Sequence, residues 1–123
     1  MLTPIRLALD WTPNTNHTGF YVALAKGTYK KAGLDVQIIS PDIDNYQLTP
    51  AKRVALGQAD LAITPSESVI SFQTKGVPLV AIAAVLARDA SAIITLKQSG
   101  ITRPQQLDGK VYASYGARYE DEI

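Results

Sequence analysis

Short apolar runs alternate along this chain with segments that carry helix-start and helix-stop residues, and this alternation constrains the fold more than any other feature. The runs that begin at Ile5 and Leu34 have a period of two, which is typical of strands. The run at 79–87 is apolar throughout and rich in Val and Ile, as expected of a strand covered on both faces in a parallel sheet. We predict strands at 5–9, 34–39, 60–63, 79–87, 92–96 and 110–114.

Two helices are predicted between the first three strands. An apolar stripe begins at His17, and its basic last turn is followed by Gly33, which is a common helix stop. Thr49 before Pro50 is typical of an N-cap followed by a proline in the first turn, and Gly57 closes this shorter helix. These signals predict that strands and helices alternate along the chain.

The helix with the fullest set of start signals follows the third predicted strand. Thr64 has the position of an N-cap, Pro65 follows it, Glu67 is its capping-box partner, and Gly76 marks the end. A short helical turn is predicted at 103–109. The alternation predicts an α/β fold with a mostly parallel sheet and helices on both of its faces.

Composition excludes several classes of function. The 123 residues, 46% hydrophobic and 19% charged, are typical of one globular domain. Twelve basic and eleven acidic residues give a net charge of +1, so we expect no nucleic-acid partner. The chain has one His and no Cys, so we expect no metal site. No apolar run approaches the ~18 residues of a membrane span, so we expect no membrane insertion.

The first residues carry an expectation about localisation. They lack the basic start, the long apolar stretch and the small-residue cleavage site of a signal peptide. If Met1 is the native start, we expect a cytoplasmic protein. If a signal peptide was removed, we expect a periplasmic or membrane-tethered one.

Polar stretches follow three of the predicted strands, at 10–14, 64–67 and 114–116. Because ligands of open parallel sheets bind outside the carboxyl ends of the strands, we expect these stretches to converge on a site. Trp11 and Tyr115 offer ring faces there, and a base-like ring gains about 1–3 kcal/mol from each stack. Asp10 could accept a hydrogen bond from an amino group on such a ring.

Each of these residues also has a purely structural interpretation. Trp11 could lie in the core, Asp10 could cap a turn, and His17 near a helix start is more often structural than an acid or base. Tyr46, in the long loop after the second strand, could flank the crevice or cover apolar surface. The capping box accounts for Thr64 and its partner Glu67, which leaves Ser66 as a spare polar group.

Three stretches of the sequence resemble a known family: 9–36 with "LDWTPNTNHTGFYVA", 57–85 with "ADLAITPSES", and 99–116. The family joins thiamine-pyrimidine-precursor synthases to ABC-transporter substrate-binding proteins for pyrimidines and sulfonates. This resemblance implies a periplasmic-binding-protein-like (type II) fold of two α/β lobes with the ligand between them. Residues 1–114 would form the first lobe, and 115–123 would begin the crossover into a second lobe.

The resemblance also bears on catalysis. The fungal synthases carry a lysine that holds pyridoxal phosphate and a histidine that is consumed as a substrate, together with a cysteine-rich iron motif. The matching positions here are Thr64 and Ser68. A threonine cannot form a Schiff base and a serine cannot donate imidazole atoms, so we expect no catalytic residue and no cofactor. Pyridoxal phosphate and iron apply only if the chain is a diverged synthase.

The same resemblance assigns roles to the candidate residues. Trp11 would stack on the ligand ring, with Asp10 and Asn14 beside it. Polar contacts would come from Ser66 and Glu67, while Tyr115 and Gly116 would close the crevice. The implied protein binds a pyrimidine-like, thiamine-related ligand, and the transporter members of the family imply an ABC permease as its partner. The alternatives are a diverged hydroxymethylpyrimidine phosphate synthase and a cytosolic sensor or carrier.

Overall fold

The computed structural model of the chain describes residues 1–88 and 92–113. The chain divides into two compact units, Met1–Val85 and Leu86–Ile123. The first unit contains strands β1 (Thr3–Ala8), β2 (Leu34–Ile39) and β3 (Leu61–Ala62) and helices α1 (Thr18–Ala25), α2 (Thr28–Lys31), α3 (Pro50–Ala55) and α4 (Ser66–Thr74). Strands and helices alternate, as the sequence predicts.

The three strands form a parallel sheet in the order β2-β1-β3. β1 lies at the centre, with Leu7 opposite Ile38 on one side and Leu61 on the other. The end of this central strand is the longest buried stretch among the described residues: Leu7, Ala8 and the following Leu9 are each at most 5% exposed. The chain is therefore a small parallel α/β protein whose core lies against the carboxyl end of β1.

The predicted first helix is divided in two. Gly27 has a φ of 66°, in the left-handed region that glycine adopts without steric cost, and it separates α1 from α2. Gly33, with a φ of 80°, ends α2 as predicted. The start of α3 is also confirmed, because the Thr49 hydroxyl accepts a hydrogen bond from the backbone N–H of Lys52 at 3.3 Å.

The capping box predicted at Thr64 and Glu67 is wrong. Pro65 is extended, with ψ at 150°, and itself occupies the N-cap position of α4. Thr64 is thus one residue too far from the helix to accept from its first turn, and Glu67 lies one position earlier in the helix than a capping-box partner. Gly76 follows the end of α4 as predicted, with a φ of 77°.

The strands predicted at 79–87 and 92–96 and at 110–113 are absent from the part of the chain that the structure describes. Val80 and Ile82 are exposed, and neither is paired in a sheet. The apolar pattern reports a tendency towards burial, but a strand also needs a neighbouring backbone, and β3 offers only two residues. Residue 114 and the crossover at 115–123 lie outside the described residues.

The second unit contains short 3₁₀ turns at Lys97–Ser99 and Pro104–Leu107. The latter confirms the helical turn predicted at 103–109. Its start is held by Gln106, whose Oε1 accepts the backbone N–H groups of Thr102 at 2.7 Å and Arg103 at 2.9 Å.

Among the residues that the structure describes, no helix has the length and apolar character needed to cross a membrane.

Candidate functional site

The loops that follow the three strands leave the sheet at one edge. The backbone pairing continues past the strands: Leu9 N–H donates to the Ile39 carbonyl at 2.9 Å, and Ile63 N–H donates to the Ala8 carbonyl at 2.9 Å. The segments 10–17, 40–46 and 64–67 therefore begin side by side at the carboxyl edge, where open parallel sheets bind ligands. Of the three stretches predicted to converge, 10–14 and 64–67 begin here, and 114–116 lies outside the described residues.

His17 organises the loop after β1. Its side chain is buried at 1% exposure, and its Nε2 lies 2.7 Å from Asp10 Oδ1. Its Nδ1 accepts the backbone N–H of Asn14 at 3.1 Å. An Nδ1 that accepts carries no proton, so the imidazole is the neutral tautomer that donates from Nε2 to the Asp10 carboxylate. His17 thus fixes Asp10 from within the protein, while the Asp10 side chain stays 43% exposed.

The side chain of Asn14 makes two hydrogen bonds to the backbone of the same loop. Its Oδ1 accepts the N–H of Asn16 at 2.9 Å, and its Nδ2 donates to the Thr12 carbonyl at 3.1 Å. These bonds turn the chain into the short 3₁₀ segment Thr15–His17 that leads into α1. The amide of Asn14 therefore shapes the backbone that presents Asp10 and Trp11.

Trp11 forms an aromatic pair with Tyr46 from the loop after β2. The ring centroids are 5.1 Å apart at an interplanar angle of 46°, within the usual range of favourable aromatic contacts. The Thr12 hydroxyl is hydrogen-bonded to the Tyr46 hydroxyl. Trp11 is 49% and Tyr46 45% exposed, so the pair forms a surface at the carboxyl edge. Trp11 is not a core residue.

Tyr46 lies in a strained segment. Asn45 and Tyr46 have φ values of 52° and 62°, in the left-handed region, which costs a residue with a Cβ about 1 kcal/mol or more. The segment is held by Asp44, whose Oδ2 accepts the N–H of Leu48 at 3.2 Å and lies 2.6 Å from Arg53 Nη2. Sequence reasoning missed Asp44 and Arg53, because nothing in their spacing marks them as a pair.

The first turn of α4 presents Ser66 and Glu67 to solvent. The Ser66 hydroxyl donates to Glu67 Oε2 at 3.3 Å, and both residues lie in the first turn of α4. Ser68 follows in the same turn, with its N–H donated to the Pro65 carbonyl at 3.1 Å. The geometry leaves Ser66 and Glu67 exposed at the same edge as Asp10.

A cavity of about 470 Å³ lies along β3, beside the apolar segment 78–85. Its lining is mostly aliphatic and includes Leu61, Ile63 and Ile82. Thr64 lines it, whereas Asp10, Trp11, Tyr46, Ser66 and Glu67 do not. Thr64 therefore faces this aliphatic cavity, whereas the Trp11–Tyr46 pair lies outside it.

An ion pair away from these loops, between Arg6 and Asp60, shifts the pKa of the Asp60 carboxylate. The guanidinium of Arg6 in β1 donates to both carboxylate oxygens of Asp60, at 3.1 and 2.9 Å, and the Arg6 backbone N–H donates at 2.8 Å. These bonds lower the pKa of Asp60 from 3.8 to about 2. The pair ties β1 to the start of β3.

In the described ranges, no group of three or more His, Cys, Asp or Glu residues could hold a metal ion.

The fold and these loops define a parallel α/β protein with an aromatic and carboxylate surface at the carboxyl edge of its sheet. Comparison with known proteins gives the family. The model of the family described as NMT1/THI5 like matches residues 14–123, and the chain belongs to this family.

Three relatives in this family show the range of its members. A formylaminopyrimidine-binding protein of Halalkalibacterium halodurans is 34% identical over 88% of this chain and 32% of its own length. A 4-amino-5-hydroxymethyl-2-methylpyrimidine phosphate synthase of Legionella pneumophila is 30% identical over 97% of this chain and 38% of its own. The Saccharomyces cerevisiae synthase THI11 is 28% identical over 86% and 31%. The chain thus spans about a third of the length of these relatives.

Proposed function

We propose that this chain is part of a binding protein for a small, pyrimidine-like, thiamine-related ligand. The observation that carries the proposal is the half-exposed Trp11–Tyr46 pair beside the fixed carboxylate of Asp10. The relative named as a formylaminopyrimidine-binding protein supports the ligand class.

The chemistry of these groups suits a flat, amino-substituted heterocycle. An aromatic face contributes about 1–3 kcal/mol when a base-like ring stacks on it. Asp10 Oδ1 is taken by His17, and the exposed remainder of the carboxylate can accept an N–H from the ring edge. Ser66 and Glu67 supply further polar contacts, and Asn14 and His17 support the loop. Stacking gives affinity, and the carboxylate gives orientation.

The fuller architecture belongs to the same proposal. The chain would supply the first lobe of a periplasmic-binding-protein-like (type II) fold, with helices on both faces of its sheet, and the ligand would lie in the cleft between two lobes. Tyr115 and Gly116 would close that cleft near the crossover. An ABC permease would be the partner if the protein is periplasmic or membrane-tethered, and a cytoplasmic protein would act as a sensor or carrier.

The second candidate is a diverged hydroxymethylpyrimidine phosphate synthase, which the two synthase relatives favour. Thr64 and Ser68 argue against it, because neither can supply the lysine amine or the histidine ring that the synthase chemistry uses. We therefore propose binding without catalysis and without pyridoxal phosphate or iron.

Native mass spectrometry of the full-length protein, purified without added ligand, separates the two candidates. The proposal predicts release of an intact aminopyrimidine on denaturation. A pyridoxal phosphate adduct on a lysine would contradict it and favour the synthase.

Calorimetry tests the site itself. Titration with formylaminopyrimidine and with 4-amino-5-hydroxymethyl-2-methylpyrimidine is expected to show binding that Trp11→Ala weakens by about 1–3 kcal/mol, or roughly 5- to 150-fold in Kd. Tyr21→Ala is the matched control, since Tyr21 is an exposed aromatic residue on α1. Equal affinity in all three proteins would remove Trp11 from the site.

A further inference from the structure

The contact between Tyr46 and Trp11 depends on a backbone conformation that a tyrosine does not adopt readily. Asn45 and Tyr46 are two consecutive left-handed residues, and only the asparagine belongs to the residue types that visit this region with ease. Two backbone bonds lie at this turn: Tyr46 N–H donates to the Pro41 carbonyl at 3.0 Å, and Asn45 N–H donates to the Asp42 carbonyl at 3.2 Å. Such a conformation persists only where the surroundings hold it.

The turn is held by an ion pair between the buried Arg53 and the half-buried Asp44. Arg53 is 8% exposed, and its Nη2 lies 2.6 Å from Asp44 Oδ2, close enough for a strong charge interaction although the pair lacks the alignment of a hydrogen bond. Asp44 Oδ1 is buried and has no hydrogen-bond partner in the described structure. The Arg53 charge is therefore the main compensation for the Asp44 carboxylate.

Arg53 is itself fixed to the core. It belongs to α3, and its carbonyl accepts the N–H groups of Gln58 at 2.8 Å and Ala59 at 3.3 Å, just before β3. Asp44 is fixed to the other side of the turn, because its Oδ2 accepts the N–H of Leu48. The ion pair thus joins the α3–β3 connection to the segment that carries Tyr46.

We infer that Arg53 is a positioning residue: through Asp44 it holds the 41–48 segment so that the Tyr46 ring lies against Trp11. The consequence for ligand affinity rests on the proposed function, but the geometric claim does not. Arg53 does not contact the proposed ligand. It acts on the aromatic surface through Asp44 and the 41–48 segment.

Trp11 is the single tryptophan of these 123 residues, so replacing any tryptophan elsewhere in the full-length protein by phenylalanine leaves Trp11 as the source of the tryptophan fluorescence. The full-length protein is compared with Arg53→Met and with Tyr46→Ala in acrylamide quenching, under conditions where far-UV circular dichroism shows folded protein. Arg53→Met is expected to raise the Stern–Volmer constant towards that of Tyr46→Ala. In the Tyr46→Ala background, Arg53→Met is expected to add nothing.

Two further variants separate positioning from general stability. Asp44→Asn keeps the side-chain shape and removes the charge, so it is expected to shift quenching in the same direction even if Arg53→Met does not fold. Arg6→Met breaks a different arginine–aspartate pair, which does not involve the 41–48 segment, and is expected to leave quenching unchanged. Arg53→Lys restores the charge and is expected to recover part of the wild-type value.

The outcomes are distinct. Wild-type quenching in folded Arg53→Met or Asp44→Asn overturns the inference, as does an added effect of Arg53→Met when Tyr46 is already alanine. Failure of the wild-type protein to bind either pyrimidine contradicts the proposed function and leaves the quenching result standing. If both proposals hold, Arg53→Met weakens pyrimidine binding no more than Tyr46→Ala does.

Discussion

Replacing His17 by alanine tests whether the loop after β1 is organised as the structure describes. His17 is 1% exposed and uses both ring nitrogens, one towards Asp10 at 2.7 Å and one towards the Asn14 N–H at 3.1 Å. The substitution removes both bonds and leaves a space where a buried ring stood. We therefore expect His17→Ala to destabilise the protein far more than a surface histidine substitution would.

The size of the effect follows from these contacts. A neutral hydrogen bond contributes about 1 kcal/mol, and the bond to the half-exposed Asp10 carboxylate about 1.5 kcal/mol, at the lower end for charged partners. Loss of the buried ring brings the expected total to about 3–4 kcal/mol. That is a large part of the typical 5–15 kcal/mol stability of a domain.

Urea unfolding followed by far-UV circular dichroism measures this difference. His17→Gln is the matched control, because its side-chain amide can still donate to Asp10, and we expect it to lose about half as much. A loss below about 1 kcal/mol in His17→Ala would refute the reasoning, since exposed substitutions lie in that range.

Other features give further predictions. The pKa of Asp60 lies at about 2 instead of 3.8, so its pairing with Arg6 contributes stability above about pH 4 that is lost as the pH falls towards 2. Acid unfolding should show this slope in the wild type but not in Asp60→Asn, and equal slopes would count against the pair. Thr49→Ala should lower the free energy of unfolding by about 1 kcal/mol, because Thr49 caps α3 through the Lys52 N–H. Thr64→Ala should remove no comparable cap from α4, so equal losses in the two variants would argue against the assigned N-caps.

The sequence predicted the parts of the fold that depend on local signals. The strand at 34–39 has the predicted bounds, and glycine stops and the Thr49 cap act where their chemistry indicates. The strands predicted at 79–87 and 92–96 and at 110–113 failed because strand formation requires a paired neighbour, which composition does not report. The boundary of α4 moved by one residue because Pro65 stays extended and occupies the cap position.

In the candidate site, too, some features were predictable from local sequence and others were not. The position of Trp11 and Asp10 after a strand was enough to predict the edge at which they lie. The partners that fix them were not predictable, because His17 reaches back seven residues to Asp10 and Tyr46 reaches Trp11 from another loop. Arg53 gave no signal, since a buried arginine in a short helix is recognised only by the carboxylate that it meets in the fold.

The central claim is that an aromatic and carboxylate surface built on Trp11 binds a pyrimidine-like ring. Trp11 is the single tryptophan of these 123 residues, so the full-length protein with any other tryptophan replaced by phenylalanine reports on Trp11 alone. Titrating this form with formylaminopyrimidine while recording tryptophan fluorescence tests the claim most directly. The account predicts a saturable change in Trp11 emission whose midpoint agrees with the calorimetric Kd. Calorimetric binding with no change in Trp11 emission would contradict it.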